Sequence, residues 1–150
     1  MKLLFVCTGN ICRSPTAEGI MKYICNKKKY DNIYCESAGL YNYHIGSSPD
    51  NRAIRIAQQN NVNISSLRAR QIKKSDFQKF DLIIGMDKGH ILELKKMEKI
   101  TTKIRLFLNF TNEYKNCDVP DPYYGTIEDF KKSYKLIELG VNKIVEKYKN

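Results

Sequence analysis

The sequence predicts one doubly wound α/β domain over residues 1–150: a four-stranded parallel sheet flanked by helices, with a tight, functionally distinctive loop after the first strand. Three observations predict it. First, the apolar run Leu3-Leu4-Phe5-Val6 leads into a tight loop and then into Ser14-Pro15, a helix-opening pair. Second, a further strand-like run, Ile33–Ala38, follows that helix and completes a βαβ unit, which implies parallel strands and a right-handed crossover. Third, short apolar runs keep alternating with helical patterns to the end of the chain, and 150 residues suffice for one sizeable core.

The elements follow in order. Leu3–Val6 is the first strand. The first helix runs from Pro15 to about Lys28, with Ala17, Ile20, Met21, Ile24 and Cys25 recurring on one face. Glu18 lies early in it, where the helix dipole favours a negative charge. Ile33–Ala38 is the second strand, with Cys35 packed, and Gly39–Pro49 is a loop rich in glycine, serine and tyrosine. Pro49-Asp50 opens a second helix to about Asn60, with Ala53, Ile54 and Ala57 inward. Ser65–Ile72 is a connector, and Ser75–Phe80 forms a short helical turn. Asp81–Met86, centred on Leu82-Ile83-Ile84, suits a central strand buried on both faces. Asp87–Lys99 is a polar helix whose apolar members are Ile91, Leu92 and Leu94, and Lys103–Leu108 is the fourth strand. Asn109–Gly125 is a long loop, and a loop of that length in a compact domain is more often functional than idle. The last helix, Thr126–Tyr148, carries a continuous stripe from Ile127 through Phe130, Tyr134, Ile137, Val141 and Ile144 to Tyr148.

Composition excludes several classes. No apolar run approaches the ~20 residues of a membrane helix, and the apolar start is too short for a secretion signal. The chain is therefore expected to be cytoplasmic and without a membrane partner. Five cysteines, an odd number without a Cys-x-x-Cys pair, argue for reduced thiols and against a disulfide scaffold or a zinc site. The net charge of +10 comes from 26 basic and 16 acidic residues. Its lysines are scattered rather than gathered into an aromatic-interleaved patch, so they read as a solvated surface and not as a nucleic-acid groove.

The chemistry concentrates in Val6–Pro15, VCTGNICRSP. A strand-loop-helix turn gathers backbone N–H groups and a helix N-terminus around one point, which is an anion site by construction. Arg13 adds a planar fork suited to phosphate oxygens. The same positive groups surround Cys7 and favour the thiolate, which is the nucleophilic form. A nucleophile beside an oxyanion cradle suggests attack of sulfur on a bound tetrahedral anion. The departing oxygen then needs a proton donor, and the long loop offers Asp118 and Asp121. Asp121 is the better candidate, because Pro122 stiffens the backbone after it and two aromatics follow.

The string CTGNICRSPTAEG at Cys7–Gly19, with DPYYG at Asp121–Gly125, resembles the low-molecular-weight protein tyrosine phosphatase family. SAG at Ser37–Gly39, RARQI at Arg68–Ile72 and FDLIIGMD at Phe80–Asp87 resemble it in the same order, so the likeness spans nearly the whole chain. The resemblance implies phosphotyrosine hydrolysis through a cysteinyl-phosphate intermediate, with Cys7 as nucleophile, Arg13 holding the phosphoryl oxygens and Asp121 as general acid and base. It implies a phosphate loop built of Thr8, Gly9, Asn10, Ile11, Cys12 and Ser14, with Ser37 supporting it. It places Tyr43 on one cleft wall and Tyr123 and Tyr124 on the other, and pairs Cys12 with Cys7 as a trap for the oxidised nucleophile. It implies neither metal nor organic cofactor; phosphotyrosine proteins and inorganic phosphate or similar oxyanions are the expected partners of a monomer. His44, beside Tyr43, receives no catalytic role. One departure is Leu67, where many relatives carry a histidine that joins the loop's hydrogen-bond network.

Other readings fit less of the chain. An arsenate reductase on this scaffold needs further cysteines near the middle of the chain, and none lies between Cys35 and Cys117. Protein arginine phosphatases tend to carry threonine where this chain has Ile11, whose apolar side chain suits an aryl ring. A catalytically dead phosphate-binding module would leave Asp121 idle, and a nucleic-acid binder would leave Cys7, Arg13 and Asp121 without a role.

Overall fold

The computed structural model describes residues 1–99 and 101–150. These form a parallel four-stranded sheet of order β2-β1-β3-β4, from β1 (Lys2–Cys7), β2 (Tyr34–Gly39), β3 (Leu82–Gly85) and β4 (Ile104–Leu106). The helices are α1 (Arg13–Lys28), α2 (Asn51–Gln59), α3 (Asp76–Lys79), α4 (Lys88–Met97) and α5 (Ile127–Tyr148). No helix among the described residues is long and apolar enough to cross a membrane.

Strand alternation splits the core in two. Leu3, Phe5 and Cys7 of β1 join Ile84 in the larger cluster, roofed by apolar residues of α1, α2 and α5. Leu4 and Val6 point the other way, to Ile83, Phe77 of α3 and Leu94 of α4. Both faces are therefore covered, as the apolar runs of β1 and β3 demand. Helix α5 lies close because Gly140 faces Phe107: a Cβ there would sit 2.3 Å from the Phe107 ring. Phe107 in turn packs edge-on against Phe5, with ring centroids 6.0 Å apart.

The structure moves several sequence expectations. Helix α1 begins at Arg13, before the Ser14-Pro15 pair, and Cys12 occupies the N-cap without a side-chain cap bond. Pro15 is tolerated there because the first-turn amides have no intrahelical acceptor. Ser14 is freed from capping for use in the loop. In α2 the fully buried isoleucine is Ile56, while Ile54 is only partly covered. In α4, Leu92 is 63% exposed, and His90 takes the buried position beside Leu94. The fourth strand is short and gives way at once to a 3-10 turn, Phe107–Phe110.

Strand order places the site. From β1 the chain crosses to β2 on one side, then returns to β3 on the other, so the connections diverge above the carboxyl ends of β1 and β3. Cys7 ends β1, and Asp87 follows β3.

Candidate active site

Residues 8–12 leave β1 and wrap back into α1. Asn10 makes the turn possible with φ 58°, a left-handed conformation that asparagine adopts more readily than most residues. Gly39, paired with Cys7 in the sheet, lets the loop settle: a Cβ there would lie 3.0–3.1 Å from backbone atoms of Thr8, Gly9 and Asn10.

Behind the loop a chain of hydrogen bonds runs from the Arg70 backbone to Cys7. The Arg70 backbone N–H donates to Asn10 Oδ1 (3.0 Å), so the Asn10 amide group must face the other way. It donates to Ser37 Oγ (2.9 Å) and to Ser14 Oγ (2.8 Å). Ser37 gives its proton to the buried Glu18 carboxylate, which Lys22 neutralises from the surface. Ser14 Oγ, already an acceptor, has one proton left, and the Cys7 sulfur lies 3.0 Å away against 3.4 Å for the Ala38 carbonyl. The network therefore ends at the sulfur, with Ser14 tying the nucleophile to the loop's scaffold. Glu18 thus serves as a buried acceptor rather than as a solvated dipole charge. Leu67 packs, partly buried, against the main core, and the network closes without a histidine there.

Arg13 is buried and tightly held. Its Nη1 donates to Asp87 Oδ2 and to the Val119 carbonyl, each at 2.8 Å. Its Nη2 turns to Thr8 Oγ1 and Asp121 Oδ2, both at 3.5 Å. Burial opposes ionisation of Asp87, but His90 and Arg13 outweigh it and hold the carboxyl below its ordinary range.

A cavity of about 340 Å³ opens at the loop. Cys7, Thr8, Gly9, Ile11, Cys12 and Arg13 form its floor. Asp121, Tyr123 and Tyr124 stand on its rim with Tyr43 and His44. Tyr124 is 95% exposed, and Tyr43 stacks on Tyr41 with centroids 5.2 Å apart. Asn10, Ser14 and Ser37 lie behind the loop and shape it. Asp118 faces away from the cavity to cap α4, accepting from the Lys88 N–H at 2.9 Å. Burial, with the Asp50 and Cys7 charges adding to it, pushes the Cys12 thiol up, so it stays protonated beside Cys7.

Two histidines border the site, and sequence reasoning assigns a role in it to neither. His44 packs over Gly9 and lies 6.5 Å from the Tyr123 ring. His90 is buried: Nδ1 accepts from the Asp87 N–H (3.2 Å), and Nε2 meets Thr8 Oγ1 (3.0 Å) and Arg13 Nη2 (3.4 Å). The Asp87-x-x-His90 spacing of a capping box was the available signal. Burial, then the Arg13 charge, lower the His90 pKa from 6.5 to about 4. The unfolded chain therefore binds this proton between pH 6.5 and 4 while the fold does not. The stabilisation is complete above pH 6.5 and is lost as pH falls toward 4, by up to about 3 kcal/mol. In urea titrations, His90→Gln, which can still serve in a capping box, is expected to flatten this decline; a slope equal to wild type would refute the assignment.

Fold and site together define a doubly wound α/β enzyme with a thiol at the floor of an anion-binding loop, the arrangement of a cysteine-dependent phosphate-ester hydrolase. The chain belongs to the low molecular weight phosphotyrosine protein phosphatase family, whose model matches residues 2–150. It is 38% identical over 143 residues to the low molecular weight phosphotyrosine protein phosphatase of Saccharomyces cerevisiae, covering 91% of this chain and 88% of the yeast protein. Its structure is similar to the crystal structure of YfkJ from Bacillus subtilis, with a TM-score of 0.92, 35% identity, and 98% and 93% of the two chains covered. It is also similar to that of the Drosophila arginine phosphatase, with a TM-score of 0.90, 31% identity, and 100% and 99% covered.

Proposed function

We propose that this protein hydrolyses phosphotyrosine in proteins, and small aryl phosphates, in two steps through a cysteinyl phosphate. In the first step the Cys7 sulfur attacks phosphorus while Arg13 and the loop amides hold the three non-bridging oxygens. The bond from phosphorus to the aryl oxygen breaks, and Asp121 gives that oxygen its proton. In the second step Asp121 takes a proton from water, the water oxygen bonds to phosphorus, and the sulfur leaves as thiolate, accepting again from Ser14. The reading is carried by one observation: Cys7, hydrogen-bonded by Ser14 at 3.0 Å, lies on the floor of a cavity whose rim carries a carboxylic acid and three tyrosines.

The aromatic rim and the apolar Ile11 favour an aryl ring over an alkyl guanidine. Similarity to an arginine phosphatase makes phosphoarginine the second reading. Matched peptides carrying phosphotyrosine or phosphoarginine separate them. The expected kcat/KM favours phosphotyrosine by about tenfold or more, and the opposite ranking would overturn the assignment. The proposed setting is a monomer in the cytoplasm acting on phosphotyrosine proteins; the five free thiols in the fold support a reducing compartment.

A further inference from the structure

Asp121 sits on an irregular loop, yet a proton donor must be held at one place. The loop is tied down two residues to either side of it. Upstream, the Val119 N–H donates to the Met86 carbonyl at 2.9 Å, and the Val119 carbonyl accepts from Arg13 at 2.8 Å. Downstream, the Tyr123 carbonyl accepts from Arg52 Nη2 at 3.0 Å. Asp121 Oδ1 accepts from the Tyr123 N–H at 3.1 Å, so the carboxyl is registered to the residue that Arg52 holds.

Arg52 is itself held in place. Asp50 caps α2 by accepting from the Arg52 N–H at 2.8 Å. Its two carboxylate oxygens then take Arg52 Nε at 3.0 Å and Nη2 at 2.9 Å in a fork. The guanidinium lies 4.4 Å from the Phe130 ring centroid and 5.6 Å from that of Tyr123. The Asp50 N–H donates to the Ile11 carbonyl of the phosphate loop at 2.8 Å. Burial opposes ionisation of Asp50, but the Arg52 bonds outweigh it and hold its pKa below the ordinary value.

We propose that Arg52 is a positioning residue: clamped by Asp50, it fixes the Tyr123 carbonyl and thereby sets Asp121 relative to the loop that carries Cys7. This rests on Asp121 being the general acid. The upstream anchor uses Arg13, which the chemistry also needs, so Arg52 is the anchor that can be removed on its own. A lysine cannot replace it, because one ammonium lacks the fork that spans both Asp50 oxygens and the carbonyl.

The test measures kcat/KM of Arg52→Ala and Arg52→Lys across aryl phosphates from p-nitrophenyl to phenyl, over a range of pH, with wild type and Asp121→Ala as references. A misplaced acid harms poor leaving groups most, so both Arg52 variants are expected to stay within about threefold of wild type on p-nitrophenyl phosphate. They are expected to lose about tenfold or more on phenyl phosphate, with a weakened basic limb of the pH profile. A steep leaving-group dependence for Asp121→Ala beside a wild-type dependence for Arg52→Ala overturns the clamp alone. So does an equal loss on every substrate. A flat dependence for Asp121→Ala overturns the acid assignment, and the clamp with it.

Discussion

Cys7→Ser is expected to abolish turnover of aryl phosphates, by about 10⁴-fold or more, while phosphate still binds in the loop. The reason is chemical rather than steric. A serine hydroxyl fits the space, but it is far less acidic than a thiol, and the hydrogen bond from Ser14 together with the loop amides does not hold it as alkoxide at neutral pH. The anion cradle is otherwise intact, because Arg13 remains bound to Asp87 and to the Val119 carbonyl. Single-turnover assays measure the loss, and calorimetry with inorganic phosphate checks that the loop survives. Appreciable turnover in the serine variant would rule out a cysteinyl intermediate.

Asp121→Ala is expected to lower kcat/KM by about 10²- to 10⁴-fold for phenyl phosphate and much less for p-nitrophenyl phosphate. An aryl oxygen that is a poor leaving group needs the proton as its bond to phosphorus breaks, whereas a stabilised phenolate departs without it. The substitution removes the carboxyl that stands 3.5 Å from Arg13 across the cavity. It leaves the nucleophile network untouched, since Asp121 has no bond to Asn10, Ser14 or Ser37. The acid limb of the profile is expected to persist and the basic limb to vanish. A uniform loss across leaving groups would reassign Asp121 from proton donor to loop structure.

The two variants differ in what the chain itself displays about them. Cys7 and Arg13 lie six residues apart in one strand-loop-helix turn, so local geometry alone brings a nucleophile to an anion cradle. The apolar runs of β1 and β3, the stripe of α5 and the long loop before it were equally legible, because their periods follow from which faces must be buried. Packing overrides pattern at two places. Leu92 is apolar, yet His90 is the buried residue of the same helix turn, since its ring nitrogens find Asp87 and Thr8. Ser14-Pro15 marked a helix start, yet the helix begins at Arg13 and Ser14 serves the sulfur instead.

The sequence by itself determined the fold class, the position of the nucleophile at the end of the first strand, and the family, because each is carried by short motifs and local patterns that can be read one stretch at a time along the chain. The tertiary structure alone decided how Arg13 is aimed, through Asp87 and Val119, 74 and 106 residues away. It decided how the hydrogen-bond network behind Cys7 is anchored, by an Arg70 amide from a distant loop and a Glu18 carboxylate of α1. It also decided that Arg52, on α2, reaches the carbonyl of Tyr123, two residues after Asp121. Hydrogen bonds act over about 3 Å, so only folding can tell which distant groups come within reach of one another.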